Sequence, residues 1–179
     1  MRVLLSIIFT CILALAASGQ QSLRPGSAAP QFSAAAMNGQ WFDLNQMHGS
    51  VVVITFWSTR CPICHSEIPK LNRVADKYRG QNVVFLALTT DNESKVQSYI
   101  RSSPFNFNIL PNSFGVILQY ADRDRAGNID ISYPAYFLID QSGSIQLKNS
   151  GWDKTQDLDV SIARLLSSAQ PAGTRLGKE

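Results

Sequence analysis

The 179-residue chain lacks the features that would place it outside the ordinary globular proteins. It has no heptad pattern and no other fixed-period repeat, which argues against coiled coils and solenoids. No apolar run reaches the ~18 residues of a membrane-spanning helix, which argues against a polytopic membrane protein. Charged residues make up only 16% of the chain, and the formal charge of +3 comes from scattered basic residues, so we expect no nucleic-acid partner. The composition therefore predicts a single globular core.

The N-terminal residues predict the compartment. Arg2 is followed by an apolar stretch over residues 3–17 and then by small and polar residues, which is the pattern of a secretory signal peptide. We expect residues 1–19 to be this signal, with cleavage near Gly19. The alternative is an uncleaved anchor, for which the apolar stretch is short. Cys11 lies inside the apolar stretch and would be removed with the signal.

Two cysteines remain after the signal, Cys61 and Cys64. An exported protein reaches a compartment where disulfides persist. A bridge between residues three positions apart closes a very small loop, and such a loop constrains the unfolded chain little. The pair therefore points to chemistry rather than to stability, and the candidates are a reactive dithiol, a haem attachment site and a metal site.

The pattern of apolar residues predicts alternating strands and helices. Residues 51–57 form a continuous β-branched and aromatic run, typical of a strand covered on both faces. Asn38-Gly39 predicts a hairpin turn before this strand. Pro62 suits the first position of the helix at 62–78 that follows, and Pro69 predicts a kink within it. The remaining predicted elements are strands at 82–88, 105–110, 136–139 and 145–147, helices at 91–102, 113–121 and 155–166, and a charged loop at 122–127.

These elements predict one α/β domain over residues 32–168, with a mixed central sheet and helices on both faces. An extended leader at residues 20–31 precedes the domain. A disordered tail at residues 169–179 follows it, since that segment has little apolar periodicity.

The position of Cys61, at the end of a buried strand and the start of a helix, favours an anion. Unpaired N–H groups and the positive end of the helix dipole meet there, and a thiolate is such an anion. Cys61 should therefore have a lowered pKa and act as the nucleophile. Cys64 lies one helical turn further on, where it can attack a mixed disulfide and release the product.

Two rival interpretations use the same residues together with His65. Cys61-Pro62-Ile63-Cys64-His65 also matches the C-x-x-C-H pattern of c-type haem attachment. The second axial ligand is usually a Met or a His further downstream, and the chain has neither after residue 65. A zinc site lacks a second ligand pair in the same way. We therefore expect no cofactor and no metal ion, with His65 exposed on its helix.

The segment from Trp57 to Pro69 resembles the W-x-x-x-C-x-x-C-x-x-E-x-P signature of the exported thioredoxin-like thiol-disulfide oxidoreductases of the TlpA-like and ResA-like class. The Asn38-Gly39 hairpin, the strand that ends at Trp57 and the segment 133–140 are similar as well, so the resemblance covers roughly residues 25–168. It implies a thioredoxin fold with an N-terminal β-hairpin extension. In this fold Cys61 would be the thiol that attacks the substrate disulfide, and Cys64 would be the thiol that resolves the mixed disulfide.

The resemblance also implies a binding surface for substrates. Pro134 would be a cis-proline whose loop lies against the disulfide and receives the extended backbone of a substrate. Trp57 would pack beside the motif, and Pro62 would lie next to the reactive sulfur. Tyr133 stands where smaller residues are common in the family, so its bulk either narrows the range of substrates or serves packing. The segment 112–128 follows the family pattern poorly.

Glu67 is the third catalytic residue that the resemblance implies. Thioredoxins proper carry a buried Asp six residues before the first cysteine, and Thr55 occupies that position here. The exported class has instead a Glu three residues after the second cysteine, which Glu67 matches. A partly desolvated carboxylate one turn from Cys64 could exchange a proton with the resolving thiol. The alternative is an ordinary solvated helix glutamate.

The resemblance implies an enzyme of the bacterial cell envelope, periplasmic or otherwise extracytoplasmic. It would act as a monomer and as a reductant of exported proteins, such as apocytochrome c, and would receive electrons from a membrane thiol donor. The direction of electron flow stays open, because Pro62-Ile63 matches neither thioredoxin nor the strong oxidants. One alternative is a thiol peroxidase, whose P-x-x-x-[ST]-x-x-C motif is met by Ser58 but not by Ile54. Another is a non-catalytic binding module, against which the retention of both cysteines argues.

Overall fold

In the computed structural model, which describes residues 23–168, the predicted buried strand lies at the centre of a five-stranded sheet. The strands in chain order are β1 Ser33–Ala35, β2 Trp41–Asp43, β3 Val51–Phe56, β4 Val83–Leu88, β5 Asn108–Leu110, β6 Asp122–Arg123, β7 Ile129–Asp130, β8 Ala135–Ile139 and β9 Ile145–Ser150. The helices are α1 Pro62–Lys77, α2 Glu93–Ile100, α3 Phe114–Tyr120 and α4 Thr155–Ser168, with a 3-10 turn at Leu44–Met47.

The sheet is mixed, as predicted, in the order β5-β4-β3-β8-β9. Strands β3, β4 and β5 run parallel, whereas β8 is antiparallel to β3 and β9 is antiparallel to β8. All residues of β3 and β8 are buried, because the sheet carries a packed layer on each face. Side chains of α1, α2 and α4 form the core on one face, and those of the N-terminal hairpin and α3 form the core on the other.

The predicted charged loop at 122–127 is wrong in part, since β6 and β7 pair there as a small antiparallel hairpin. The Asp124 carboxylate organises its turn by accepting hydrogen bonds from Ala126 N at 2.8 Å and Asn128 N at 2.9 Å. Gly127 follows with a φ of +85°, which a residue without Cβ adopts readily. The predicted strand at 105–110 is shorter, because only Asn108–Leu110 pairs with β4.

The structure describes only part of the segments predicted before and after the domain. The predicted signal at 1–19 and the predicted tail at 169–179 lie outside the described residues. From the leader, residues 23–31 run back to the start of β9, where Ala28 bridges Ser144 and Gly26 N donates to Ile145 O at 2.7 Å. Tyr120 holds the end of the leader, since its hydroxyl donates to Pro30 O at 2.8 Å. Between residues 23 and 168, no helix has the length and apolar character needed to cross a membrane.

Candidate active site

The cysteine pair lies at the junction of β3 and α1, and the two sulfurs form a disulfide. Cys61 is the N-cap of α1, and its Sγ accepts a hydrogen bond from Cys64 N at 3.1 Å. Pro62 occupies the first turn, where a missing N–H leaves no helical hydrogen bond unmade. Cys61 is half-buried, whereas Cys64 is only 1% exposed. Cys61 is therefore the sulfur that another protein can reach.

The short loop between β3 and Cys61 is held by Asp91, which follows β4. One carboxylate oxygen of Asp91, Oδ2, accepts hydrogen bonds from Ser58 Oγ at 3.0 Å and from Thr59 N at 2.8 Å. Burial acts to raise the pKa of Asp91, but the hydrogen bonds from Thr59, Ser58 and Thr89 outweigh it and hold this pKa below its ordinary value. The carboxylate is therefore ionised at neutral pH.

Asp91 is not among the site residues predicted from sequence, and the N-cap of α2 is Asn92. The signal that could have revealed Asp91 is its place after β4. Because the carboxyl ends of parallel neighbouring strands meet at one edge of a sheet, a polar residue there can reach the loop after β3.

The Tyr133–Pro134 peptide is cis, as predicted. Pro134 is buried and directly precedes β8, whose first residue, Ala135, pairs with Phe56 at the end of β3. This register brings the proline loop to the edge of the sheet from which Cys61 emerges. The half-buried Tyr133 packs against the same core as Cys61, and burial together with the charge of Asp91 raises the pKa of its phenol.

Glu67 lies on the inner face of α1 and is fully buried, rather than partly desolvated. Its Oε1 accepts a hydrogen bond from Lys70 Nζ at 2.9 Å, whereas its Oε2 has no partner among residues 23–168. The hydroxyls of Thr55 and Tyr136 are likewise buried without a partner there, and these two residues pair across β3 and β8. Burial and the charge of Glu67 raise the pKa of Tyr136. A buried group of polar side chains thus lies behind the redox helix.

Lys70 connects this buried group to the loop between β9 and α4. Its Nζ donates a second hydrogen bond to Asp153 Oδ1 at 2.9 Å and lies 4.9 Å from the centre of the Trp152 ring. Hydrogen bonds to Glu67 and Asp153 raise the pKa of Lys70. The same loop reaches the proline loop, since Gly151 N donates to Pro134 O at 2.8 Å. Neither Lys70 nor Trp152 was predicted from sequence, because no local pattern marks either of them.

Trp57 and His65 both pack against the ring of Tyr99. Trp57 is 1% exposed and packs its ring 5.4 Å from that of Tyr99 and 5.5 Å from that of Phe105. Trp57 therefore packs in the core that supports the redox site. His65 is exposed, as predicted, and its ring lies 4.8 Å from that of Tyr99. Its Nε2 donates to the Thr59 carbonyl at 3.0 Å, which ties the first turn of α1 to the preceding loop.

The surface around Cys61 carries exposed apolar side chains. Pro62 is exposed, and Ile63 beside it is 39% exposed. Trp152, on the loop bonded to Pro134, is 58% exposed. Of the residues predicted from sequence to contact a substrate, Pro62 is exposed beside the accessible sulfur and Tyr133 is half-buried, whereas Pro134 and Trp57 are buried.

Comparison with known proteins agrees with this geometry. A model of the AhpC/TSA family matches residues 25–148. The thiol-disulfide oxidoreductase ResA of Bacillus cereus is 25% identical over 149 residues, which cover 83% of this chain and 82% of the relative. ResA of Bacillus subtilis is 29% identical over 131 residues, which cover 72% of this chain and 68% of the relative.

Solved structures share the fold. A thiol:disulfide interchange protein of the thioredoxin family from Chlorobium tepidum aligns with a TM-score of 0.67 at 23% identity, covering 82% of this chain and 99% of that one. The thioredoxin domain of a thiol-disulfide oxidoreductase from Bacteroides vulgatus also gives 0.67, at 22% identity, covering 81% of this chain and 99% of that one. This chain belongs to the AhpC/TSA family, and it is a thiol-disulfide oxidoreductase of the ResA type with the thioredoxin fold that its sequence predicts.

Proposed function

We propose that this protein reduces disulfides of exported proteins in the bacterial cell envelope, with the Cys61–Cys64 pair as its redox centre. The observation that carries the proposal is the unequal exposure of the two sulfurs at the start of α1. Cys61 is accessible and Cys64 is buried directly behind it. A partner can therefore form a bond with one sulfur while the other is kept for the second step.

The exchange begins with the reduced pair. The Cys61 thiolate attacks a substrate disulfide, so that a bond from Cys61 to one substrate sulfur forms and the other substrate sulfur leaves as a thiolate. Cys64, once deprotonated, attacks the Cys61 sulfur, which forms the Cys61–Cys64 disulfide and releases the second substrate thiolate. Two electrons pass to the substrate. The Cys64 N–H that points at Cys61 Sγ and the dipole of α1 stabilise the attacking thiolate.

Glu67 supplies the proton transfer of the second step in this proposal. It lies one helical turn from Cys64, is fully buried, and leaves Oε2 free of hydrogen bonds from the described residues. A carboxylate in such a place can take the proton of the Cys64 thiol when that thiol attacks. Lys70 holds the other oxygen and so orients the carboxylate.

The substrate binds as an extended segment along the loop of Pro134, beside Tyr133 and Pro62. Trp57 supports this surface from the core without reaching it, since its ring is buried. The partners are disulfide-containing exported proteins, of which apocytochrome c is one candidate. A membrane thiol donor returns the pair to its reduced form, and the protein acts as a monomer. The envelope location rests on the N-terminal signal pattern.

The decisive experiment measures insulin disulfide reduction and peroxide consumption with the same preparation. We expect the wild-type protein to reduce insulin, Cys61→Ser to be inactive, and Cys64→Ser to accumulate a mixed disulfide with the substrate. Consumption of peroxide without insulin reduction would favour a thiol peroxidase, and failure in both assays would favour a binding module. The equilibrium of the pair with glutathione then gives the direction of electron flow.

A further inference from the structure

The Asp91 carboxylate is closely bound to the loop that delivers Cys61. We propose that Asp91 is a positioning residue for the redox pair: it fixes the Ser58–Thr59 turn from which Cys61 enters α1, and its charge disfavours the Cys61 thiolate, which makes the pair a stronger reductant. The effect of Asp91 on the Cys61–Cys64 pair does not depend on the proposed function. Only the conclusion that this effect serves a reductant rests on it.

The geometry of the carboxylate supports the first part. Asp91 is 5% exposed, and its Oδ2 accepts from Ser58 Oγ at 3.0 Å, Thr59 N at 2.8 Å, Thr59 Oγ1 at 3.0 Å and Thr89 Oγ1 at 3.3 Å. Neutral donors converge on a charged acceptor, and such hydrogen bonds are stronger than those between neutral groups. The turn before the cysteine is therefore anchored to the end of β4.

Further hydrogen bonds hold the same turn. Cys61 N donates to Ser58 O at 3.1 Å, and His65 Nε2 donates to Thr59 O at 3.0 Å. Trp57 N donates to Leu88 O at 3.1 Å, which continues the pairing of β3 and β4 up to the loop. Together with the hydrogen bonds to Asp91, these bonds restrict the turn and so set the direction in which Cys61 enters α1.

The sign of the electrostatic effect follows from the charge of Asp91. A negative group near Cys61 disfavours the ionised form of the Cys61 thiol. Because the thiolate contributes to the stability of the reduced pair, the reduced pair becomes less stable relative to the disulfide. The reduction potential then becomes more negative. Other titratable or charged side chains on the elements around Cys61 include Arg60, His65, Glu67 and Lys70 on or beside α1, Glu93 and Tyr99 on α2, and Tyr133 and Tyr136 on β8 or the loop before it.

The test removes the negative charge of Asp91 and keeps the size of its side chain. In Asp91→Asn, we expect the pKa of Cys61, read from the pH dependence of its alkylation, to fall by roughly half a unit to one unit. The equilibrium constant with glutathione should shift by about 3- to 10-fold towards the reduced pair, which corresponds to about 15 to 30 mV. An unchanged or raised Cys61 pKa in a folded Asp91→Asn variant would overturn the inference.

Asp140 offers a matched control. Its Oδ1 accepts from Ser142 Oγ at 2.6 Å, Ser142 N at 2.9 Å and Ser144 N at 3.0 Å, so it holds a turn with the same kinds of donors. It follows β8, at the opposite edge of the sheet from Cys61. Asp140→Asn should lower stability and leave the Cys61 pKa and the potential unchanged. A shift as large as that of Asp91→Asn would mean that loss of stability alone explains both.

A second variant keeps the inference testable if Asp91→Asn does not fold. Thr59→Val removes one hydroxyl donor and leaves the charge of Asp91 in place. We expect slower reduction of glutathione disulfide, because the Ser58–Thr59 turn is less restrained. We expect no fall in the Cys61 pKa, because the charge of Asp91 is still present. An unchanged rate would contradict the positioning role. These readouts need no protein substrate, so a failure of the wild type with insulin would refute the proposed function and leave this inference standing.

Discussion

Glu67 and Lys70 form an ion pair of unequal exposure, in which the carboxylate is completely buried and the ammonium group reaches solvent beside Trp152 and Asp153. A buried carboxylate without its counter-ion is unfavourable, since desolvation penalises the charged form. The contact with Lys70 therefore offsets part of the cost of burying the Glu67 carboxyl group. The pair also joins three parts of the site, namely α1, the loop after β9 and, through Gly151, the loop of Pro134.

Removal of Lys70 should destabilise the protein clearly. In Lys70→Met the Glu67 carboxylate loses its ion-pair partner, and we expect a lower midpoint in urea denaturation at neutral pH. Lys77→Met is the matched control on the same helix, where the partner Asp159 is partly solvated and the loss should be small. The Lys70→Met, Glu67→Gln double variant should recover most of the lost stability. If the double variant is no more stable than Lys70→Met, the buried charge is not the cause.

Substitution of Glu67 should change kinetics more than binding. Glu67→Gln keeps the shape of the side chain and removes its ability to take a proton, so we expect disulfide exchange to slow by roughly 10-fold or more. The thiol titration should shift as well, measured by alkylation between about pH 5 and 9. Glu93→Gln, on the exposed first turn of α2, is the control and should behave as the wild type. Kinetics unchanged over this range would remove Glu67 from the mechanism.

Asp91 should contribute to stability in a pH-dependent way. Its pKa is lower in the folded protein than in the unfolded chain, so its contribution is present above the unfolded value of about 4 and is lost as pH falls through the folded pKa. We expect Asp91→Asn to be less stable than the wild type at neutral pH and the difference to shrink below about pH 4. Urea denaturation at several pH values measures this. A difference that stays constant down to the acid limit would contradict the lowered pKa.

Tyr133 should limit which substrates reach Cys61. Its ring is half-buried next to Pro134, where the proposed substrate backbone lies. If its bulk narrows the binding surface, Tyr133→Ala should reduce a folded protein disulfide several-fold faster, with little change for glutathione disulfide, which needs less room. The ratio of the two rates is the measurement. Equal changes for both substrates would indicate that Tyr133 serves packing only.

The order of elements and the core could be predicted from sequence because both follow from local patterns. The β-branched run of β3 requires burial on both faces, and the apolar spacing of α1 and α4 places one face of each helix on the sheet. The β6–β7 hairpin was missed because its strands are two residues long, too short for any alternation to show. Asp124 and Gly127 supply its turn, and a charged loop has the same composition.

The sequence by itself determined which atoms can react. Cys61 and Cys64 are close in the chain, so the end of a strand and the first turn of a helix bring their sulfurs together in any fold that forms these elements. Only the tertiary structure decided which charges surround them. Asp91 is 33 positions from Ser58, and Asp153 is 83 positions from Lys70. Electrostatic coupling depends on distance in space, and strand order and register, rather than any local pattern, set that distance.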